Sequence, residues 1–281
     1  MHLIERRIPY SSKSDSFNLY ALGDVHVGNI GFAKEKFERT IRAIRDDPRA
    51  LVVLMGDLAD AIVPSDPRFD ARTIHPDFLT RIQDIAVAEY EYLERTLDPI
   101  KEKVVACLNG NHEETIRKRH YLDLTSDLCR KLGFPYGEYC CAIALTFARG
   151  GKKARSERFI VFAHHGAGGG ASTGGRLSKL EKLPESVLAD IFLMGHFHEQ
   201  LFDVKPVMKF NFDKKNPVTG KPGVVEEKPR LFLFTGSYLK SYVEGVTTYS
   251  ERAMYRPNSL GCVRIRIKPY HRELHPERFV T

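Results

Sequence analysis

Leu51-Val52-Val53-Leu54-Met55-Gly56-Asp57-Leu58-Ala59-Asp60 is an apolar run that stops abruptly at a glycine and an acid. Four or five consecutive apolar residues fit a strand buried on both faces, because a half-exposed strand would alternate. Asp57 then falls at the C-terminal end of that strand, where open α/β sheets place their ligand sites. One carboxylate has two oxygens and can neutralise charge on both sides. Asp57 is therefore read as a bridge between two metal ions, and the rest of the chain as the means of completing two coordination spheres.

Upstream, Phe17 to Leu22 reads as a first strand that delivers Gly23-Asp24-Val25-His26-Val27-Gly28-Asn29. In an extended segment, residues two apart project to the same side, which would let Asp24 and His26 grip one ion. Phe32, Phe37, Ile41 and Ile44 have helical spacing opposite Lys34, Lys36, Arg39 and Arg42. A β-α-β start follows, and its crossover implies parallel pairing. Downstream, 61–76 is rich in Pro, Asp and Arg and reads as a surface loop. Asp77 is read as the cap of a helix that buries Phe78, Ile82, Ile85 and Leu93 and ends at Pro99.

Val104 to Leu108 repeats the opening pattern, a buried strand running into Asn109-Gly110-Asn111-His112-Glu113. A helix is expected over Tyr121 to Leu132, then strands over Tyr139 to Phe147 and Arg158 to Ala163 with a basic turn, Gly150 to Ser156, between them. The second strand ends in His164-His165 and opens onto a glycine loop, 166–175. Leu177, Leu180 and Leu183 suggest a short helix, and Ile191 to Met194 leads to Gly195-His196-Phe197-His198. From Leu201 onward the sequence turns β-rich, with turn signals at Asn216-Pro217 and over 219–223.

With 281 residues and 42% hydrophobic content, the chain can bury a full core. It is read as one domain, 1–281, with a metal-motif core over 17–198 and a β-rich remainder over 199–281. No apolar run approaches the roughly 18 to 20 residues of a membrane-spanning helix, and the N-terminus lacks the apolar centre of a signal peptide. A cytoplasmic protein without a membrane partner is expected. The five cysteines contain no C-x-x-C pair and read as reduced core residues. The formal charge of +7 fits either attraction for a polyanion such as nucleic acid or an ordinary surface rich in lysine and arginine.

Six of the eleven histidines, His26, His112, His164, His165, His196 and His198, fall in blocks that end predicted strands. A lone histidine is more often structural than catalytic. Five blocks that supply Asp, Asn and His together are hard to explain as chance. Mixed oxygen and imidazole donors suit Mn, Fe, Zn or a mixed pair better than Ca or Mg. The absence of cysteine from these blocks argues against a structural zinc site. The glycine loop does not match the P-loop pattern, and it reads as either a phosphate cradle or a mobile surface loop. Arg117, Lys118, Arg119 and His120 read as phosphate contacts or, in preference, as a solvated helix face.

In this order the blocks resemble the calcineurin-like metallophosphoesterase superfamily. Its pattern D-x-H, G-D, G-N-H-[ED], H, G-H-x-H is met at Asp24/His26, Gly56-Asp57, Gly110-Asn111-His112-Glu113, His164 and Gly195-His196-Phe197-His198. The resemblance implies a four-layer α/β sandwich of two mixed β-sheets flanked by helices. It also implies two divalent metal ions, with Mn the first choice. Carried over, Asp24, His26, Asp57 and His198 hold the first ion, and Asp57, Asn111, His164 and His196 the second. His165 remains open as a ligand, a phosphate contact or a buried structural residue.

Two ions roughly 3.5 to 4 Å apart clamp phosphate oxygens and activate a bridging water for in-line attack. His112 is the general acid or hydrogen-bond donor to the leaving group, with Asp60 or Glu113 as the carboxylate that orients it.

The superfamily's protein phosphatases extend the second block to G-D-x-V-D-R-G, whereas this chain has Gly56-Asp57-Leu58-Ala59-Asp60-Ala61-Ile62. The chain after His198 leaves little room for the capping domain of the double-strand-break exonucleases. Gly236-Ser237-Tyr238 and the segment 249–261 resemble, less specifically, the C-terminal strands of bacterial and phage members. The reading is a metal-dependent phosphoester hydrolase, a phosphodiesterase or nuclease acting on nucleic acid or nucleotides. The alternatives are a noncatalytic scaffold of the same fold, or a phosphomonoesterase acting on a small metabolite.

Overall fold

The computed structural model describes residues 1–150, 155–169 and 172–280. Residues 151–154 of the expected basic turn and Gly170 and Ala171 of the glycine loop lie outside the described residues. In chain order the strands and helices are β1 (His2–Tyr10), β2 (Phe17–Leu22), α1 (Lys34–Asp46), β3 (Ala50–Leu54), α2 (Ile85–Leu97), β4 (Val104–Leu108), α3 (Asn111–His120), α4 (Leu124–Leu132), β5 (Tyr136–Glu138), β6 (Cys140–Arg149), β7 (Arg155–His164), α5 (Thr173–Lys182), β8 (Ile191–Met194), β9 (Gln200–Lys215), β10 (Pro222–Ser237), α6 (Tyr249–Arg252), β11 (Gly261–Lys268) and β12 (Glu273–Phe279).

The strands form two mixed sheets. One runs β12-β11-β2-β3-β4-β5, with the β2/β3, β3/β4 and β4/β5 pairs parallel. The other runs β1-β6-β7-β8-β10-β9, and the end of β10 crosses to pair Gly236 and Ser237 with β11. Alternation along each strand divides its side chains between two compartments. Leu51, Val53 and Met55 meet Ile143, Leu145, Val161 and Leu231 between the sheets. Val52 and Leu54 point outward to a second core formed with Phe37, Ile41, Leu93 and Leu128 of α1, α2 and α4. Phe162, Phe192 and Phe232 form a third core on the other sheet's outer face beneath Leu180 of α5. Helices, sheet, sheet and helix give the four expected layers.

Three local features differ from the sequence reading. Strand β1 was not expected, because only Ile8 and Tyr10 of its nine residues are buried. Its parallel pairing with β6, rather than an apolar pattern, makes it a strand. Pro76 to Asp84 forms a 3-10 segment ahead of α2, and its cap is the His75 side chain, which accepts from the Asp77 N–H. The helix expected over Tyr121 to Leu132 spans Leu124–Leu132 and is preceded by another. Asn111 begins α3, so the Asn-His-Glu block rides on a first helical turn.

Candidate metal centre

Five blocks meet at the open end of the inter-sheet space. The loop after β2 is zipped to the loop after β3 by backbone hydrogen bonds. The Asp24 N–H donates to the Gly56 carbonyl at 3.0 Å, and the Val25 and His26 N–H groups donate to that of Asp57 at 2.8 and 3.1 Å. The result is a pair of tight turns, not extended chain. Asp24, His26 and Asp57 have φ of 48°, 51° and 47°, and His196 and His198 have 70° and 55°. Left-handed backbone at a non-glycine residue costs on the order of 1–3 kcal/mol and persists only where its surroundings over-determine it. Asp24 and His26 therefore converge, but not through the strand alternation expected for them.

On one side of Asp57 stand Asp24, His26 and His198, whose donor atoms fall within 4.8 Å of one another. His198 Nε2 is 3.4 Å from an Asp24 oxygen and 3.2 Å from His26 Nε2. His26 Nδ1 bonds Asp60 Oδ1 at 3.1 Å, so its Nε2 offers a lone pair towards the cluster. On the other side, His165 and His196 group with Asp57. Asn111 Oδ1 lies 2.8 Å from His196 Nδ1 and 3.1 Å from His165 Nε2. A single Asp57 oxygen, Oδ2, faces both groups, 3.4 Å from His165 Nε2 and 3.9 Å from His26 Nε2.

The donor set fits cations. His165 Nδ1 is committed to the Met55 carbonyl at 2.8 Å. In the neutral ring, Nε2 is then an acceptor facing two further acceptors, Asn111 Oδ1 and Asp57 Oδ2. Acceptors converge in this way around a positive charge. Burial opposes protonation of His165, yet Asp57, Asp24 and the Met55 carbonyl push its pKa up to about 10. The pocket therefore favours positive charge at this point. His196 is placed for Nδ1 ligation, since its Nε2 reaches the Gly168 carbonyl at 3.2 Å.

The second group corrects the expected choice within the histidine pair. His164 belongs to the outward face of β7, and its Nδ1 accepts from the Gly166 N–H at 2.8 Å. Phe159, Val161 and Ala163 face the inter-sheet core, and His165 continues that face, fully buried, into the cluster. The structure thus brings Asp24, His26, Asp57, Asn111, His196 and His198 together with His165, and leaves His164 outside.

His112 stands beside the first group, its ring edge-on to His26 with centroids 4.7 Å apart. Its Nδ1–H donates to the Asp60 carbonyl at 2.5 Å, and the Asp60 carboxylate lies 3.7 Å away. Burial opposes the imidazolium, but Asp57, Asp60 and the Asp60 carbonyl outweigh it and raise His112 above its ordinary value. Asp60, not Glu113, is thus the residue beside this ring, and it orients His112 through its backbone carbonyl and not through the expected carboxylate.

Glu113 does something else. It accepts the N–H groups of Asp57, Leu58, Ala59 and Gly110 at 3.1, 2.7, 3.2 and 3.0 Å, which holds the turn that carries Asp57. Gly110 must be glycine, because a Cβ there would sit 2.1 Å from Asp57 Oδ1.

Tyr139, which the sequence marks only as a strand start, packs edge-on against His165 at 5.4 Å. The described part of the glycine loop holds His164 and His196 through Gly166 and Gly168. A cavity of about 460 Å³ opens beside Asn111, lined by Glu114, Thr115, Arg117, Lys118 and Tyr139. Glu114 pairs with Arg117 at 2.8 Å and with Lys118 at 3.3 Å, so the basic face of α3 is partly neutralised.

No curated protein sequence matches the chain. Among solved structures, a predicted phosphoesterase from Streptococcus pneumoniae TIGR4 is 13% identical, with 95% of this chain and 99% of that one covered and a TM-score of 0.35. A metallophosphoesterase from Sphaerobacter thermophilus is 12% identical over 94% of this chain and 88% of that one, with a TM-score of 0.37. A sequence profile described as calcineurin-like phosphoesterase matches residues 17–200. That span takes in all five blocks, strands β2 to β8 and more than half of the chain, and on this ground the chain belongs to the calcineurin-like phosphoesterase family.

Proposed function

We propose that the chain is a dinuclear-metal phosphodiesterase. Asp24, His26, Asp57 and His198 would hold one divalent ion, and Asp57, Asn111, His165 and His196 the other, with Mn the first candidate. The observation that carries this reading is Asp57 Oδ2, which stands between two groups of converging acceptors. When bound, the ions supply positive charge for the phosphoryl oxygens and an activated water nucleophile. The chain's own residues do the rest. Asp60 fixes the His26 tautomer through Nδ1, and Glu113 fixes the turn that presents Asp57.

His112, with Nδ1–H tied to the Asp60 carbonyl, turns Nε2 away from that bond, where it can give a proton to the departing alkoxide. Two cations nearby would lower its proton affinity, so the hydrogen bond that sets its orientation is the firmer support for this role. The cavity beside Asn111 offers room for a group attached to the scissile phosphate, such as a nucleoside or the next unit of a nucleic-acid strand. The chain acts as a single domain in this reading, consistent with strand β10 running through both sheets. Among the described residues no helix is long and apolar enough to cross a membrane, and a cytoplasmic setting is proposed.

The test is hydrolysis of bis-p-nitrophenyl phosphate, p-nitrophenyl phosphate and a short oligonucleotide by Mn-reconstituted protein. Diester turnover that is lost in Asp57→Ala and His112→Ala supports the proposal. Absence of turnover on all three, or equal rates in wild type and His112→Ala, overturns it.

A further inference from the structure

Strand β9 pairs with β10 on one side only and is an edge strand. Its residues Phe202, Val204, Pro206, Met208, Phe210 and Phe212 share one face, and all six are apolar and exposed. The other face carries Asp203, Lys205, Lys209, Asn211 and Asp213, with Leu201 and Val207 its two apolar members. Such alternation describes a half-buried strand, yet nothing among the described residues covers it. Register explains how the face arises. Val204 and Phe202 pair with Leu231 and Leu233 of β10, which are fully buried between the sheets. Further along the hairpin, Val225, the partner of Phe210, is 58% exposed. The arm thus extends one layer of the sandwich beyond the reach of the other.

We propose that a second copy of this chain docks on that face, arm against arm across a two-fold axis, each hairpin supplying the layer that the other lacks. An isologous contact needs a self-complementary surface, and a row of Phe, Met and Val meets that need. Met208, Phe210 and Phe212 are 67%, 60% and 75% exposed. With Phe202, Val204 and Val225 they present roughly 600 Å² of apolar surface, at the 150 to 250 Å² that an aromatic buries. A stable interface covers about 800 Å² per partner, so the row provides its apolar centre and the neighbouring lysines and glutamates its rim.

Pairing through the strand edge is disfavoured. Pro206 lies opposite Pro229, and a proline has no N–H to offer an added strand.

Sedimentation velocity of the full chain from about 1 to about 100 µM tests this through mass action. The expected species is twice the 32.0 kDa protomer. Met208→Glu with Phe210→Glu should weaken association by about 100-fold or more, the scale of losing central interface residues. Phe212→Lys, a single change at an exposed position, gives an independent reading should the double variant lose its cooperative melt. Both variants should keep the wild-type metal content and diesterase rate. A wild type that stays monomeric at the highest concentration overturns the proposal, and flotation of that monomer with phosphatidylcholine–phosphatidylglycerol vesicles would assign the face to lipid. A dimer unchanged in both variants overturns it as well.

Discussion

Replacing His165 and His164 one at a time by asparagine separates two neighbours with opposite surroundings. His165 is fully buried, with Nδ1 on the Met55 carbonyl and Nε2 aimed at Asp57 Oδ2 and Asn111 Oδ1. Loss of an outer-shell partner already costs 10- to 100-fold in metal affinity, so loss of a donor nitrogen should cost at least about 100-fold. At 1.36 kcal/mol per decade, that is about 2.7 kcal/mol. His164 gives up one hydrogen bond, accepted from the Gly166 N–H, worth about 1 kcal/mol.

After reconstitution with Mn and gel filtration, elemental analysis should find two ions per chain in wild type and His164→Asn, and one in His165→Asn. Diester hydrolysis should fall at least about 100-fold in His165→Asn and stay within about threefold in His164→Asn. Thermal melts in chelator check that both variants fold. Two ions retained by His165→Asn with one lost by His164→Asn would refute the geometric argument.

Other substitutions probe the surroundings of the centre. His112→Asn should leave two ions bound and lower turnover by about 10²- to 10⁴-fold, the range for a lost general acid, as read by single-turnover kinetics beside elemental analysis. Asp60→Asn, which weakens the bond that holds His26 Nδ1 and leaves the carbonyl that holds His112, should weaken metal binding about 10- to 100-fold in a chelator competition. Glu89 is fully buried, and burial together with Asp60 and Glu113 raises its pKa well above the usual carboxylate value.

A folded-state pKa above the unfolded one contributes stability that is complete below the unfolded value and lost as pH rises through the folded one. Glu89→Gln stays neutral without that loss. Its melting temperature should therefore exceed wild type by a few degrees near pH 8 and converge on it below about pH 4. A constant difference across the range would show that the proton on Glu89 is irrelevant to stability.

The ligand blocks were legible because chemistry restricts them: only certain side chains bind cations, and they recur where buried strands end. The buried strands themselves were legible as unbroken apolar runs. The face that each residue takes was not. Strand β7 is apolar on both sides, with Phe159, Val161 and Ala163 inward and Ile160 and Phe162 outward. Nothing in that pattern says which of His164 and His165 continues the inward row. Strand β1 was invisible for the converse reason. Seven of its nine residues keep contact with water, and its identity rests on a neighbour more than a hundred residues away in sequence. His75 could not be recognised as a cap, because Asp77 is the better capping residue by type and only the turn geometry decides between them.

The block 110–113 shows why four adjacent residues can each be indispensable for a different reason. Gly110 has no side chain because Asp57 occupies the space. Asn111 directs Oδ1 at His165 and His196, and His112 donates its own backbone N–H to Asp57 Oδ1 at 3.0 Å while its ring reaches Asp60. Glu113 closes the circuit by taking the N–H groups of the Asp57 turn. Asp57 Oδ1 is thus engaged by the backbone, which leaves Oδ2 as the oxygen directed at both donor groups. A carboxylate restrained in this way stores the cost of its left-handed backbone in bonds made by a helix that starts at Asn111. The placement of Asp57 Oδ2 between the two donor groups is accordingly a property of the folded chain itself, and the first turn of α3 sustains it.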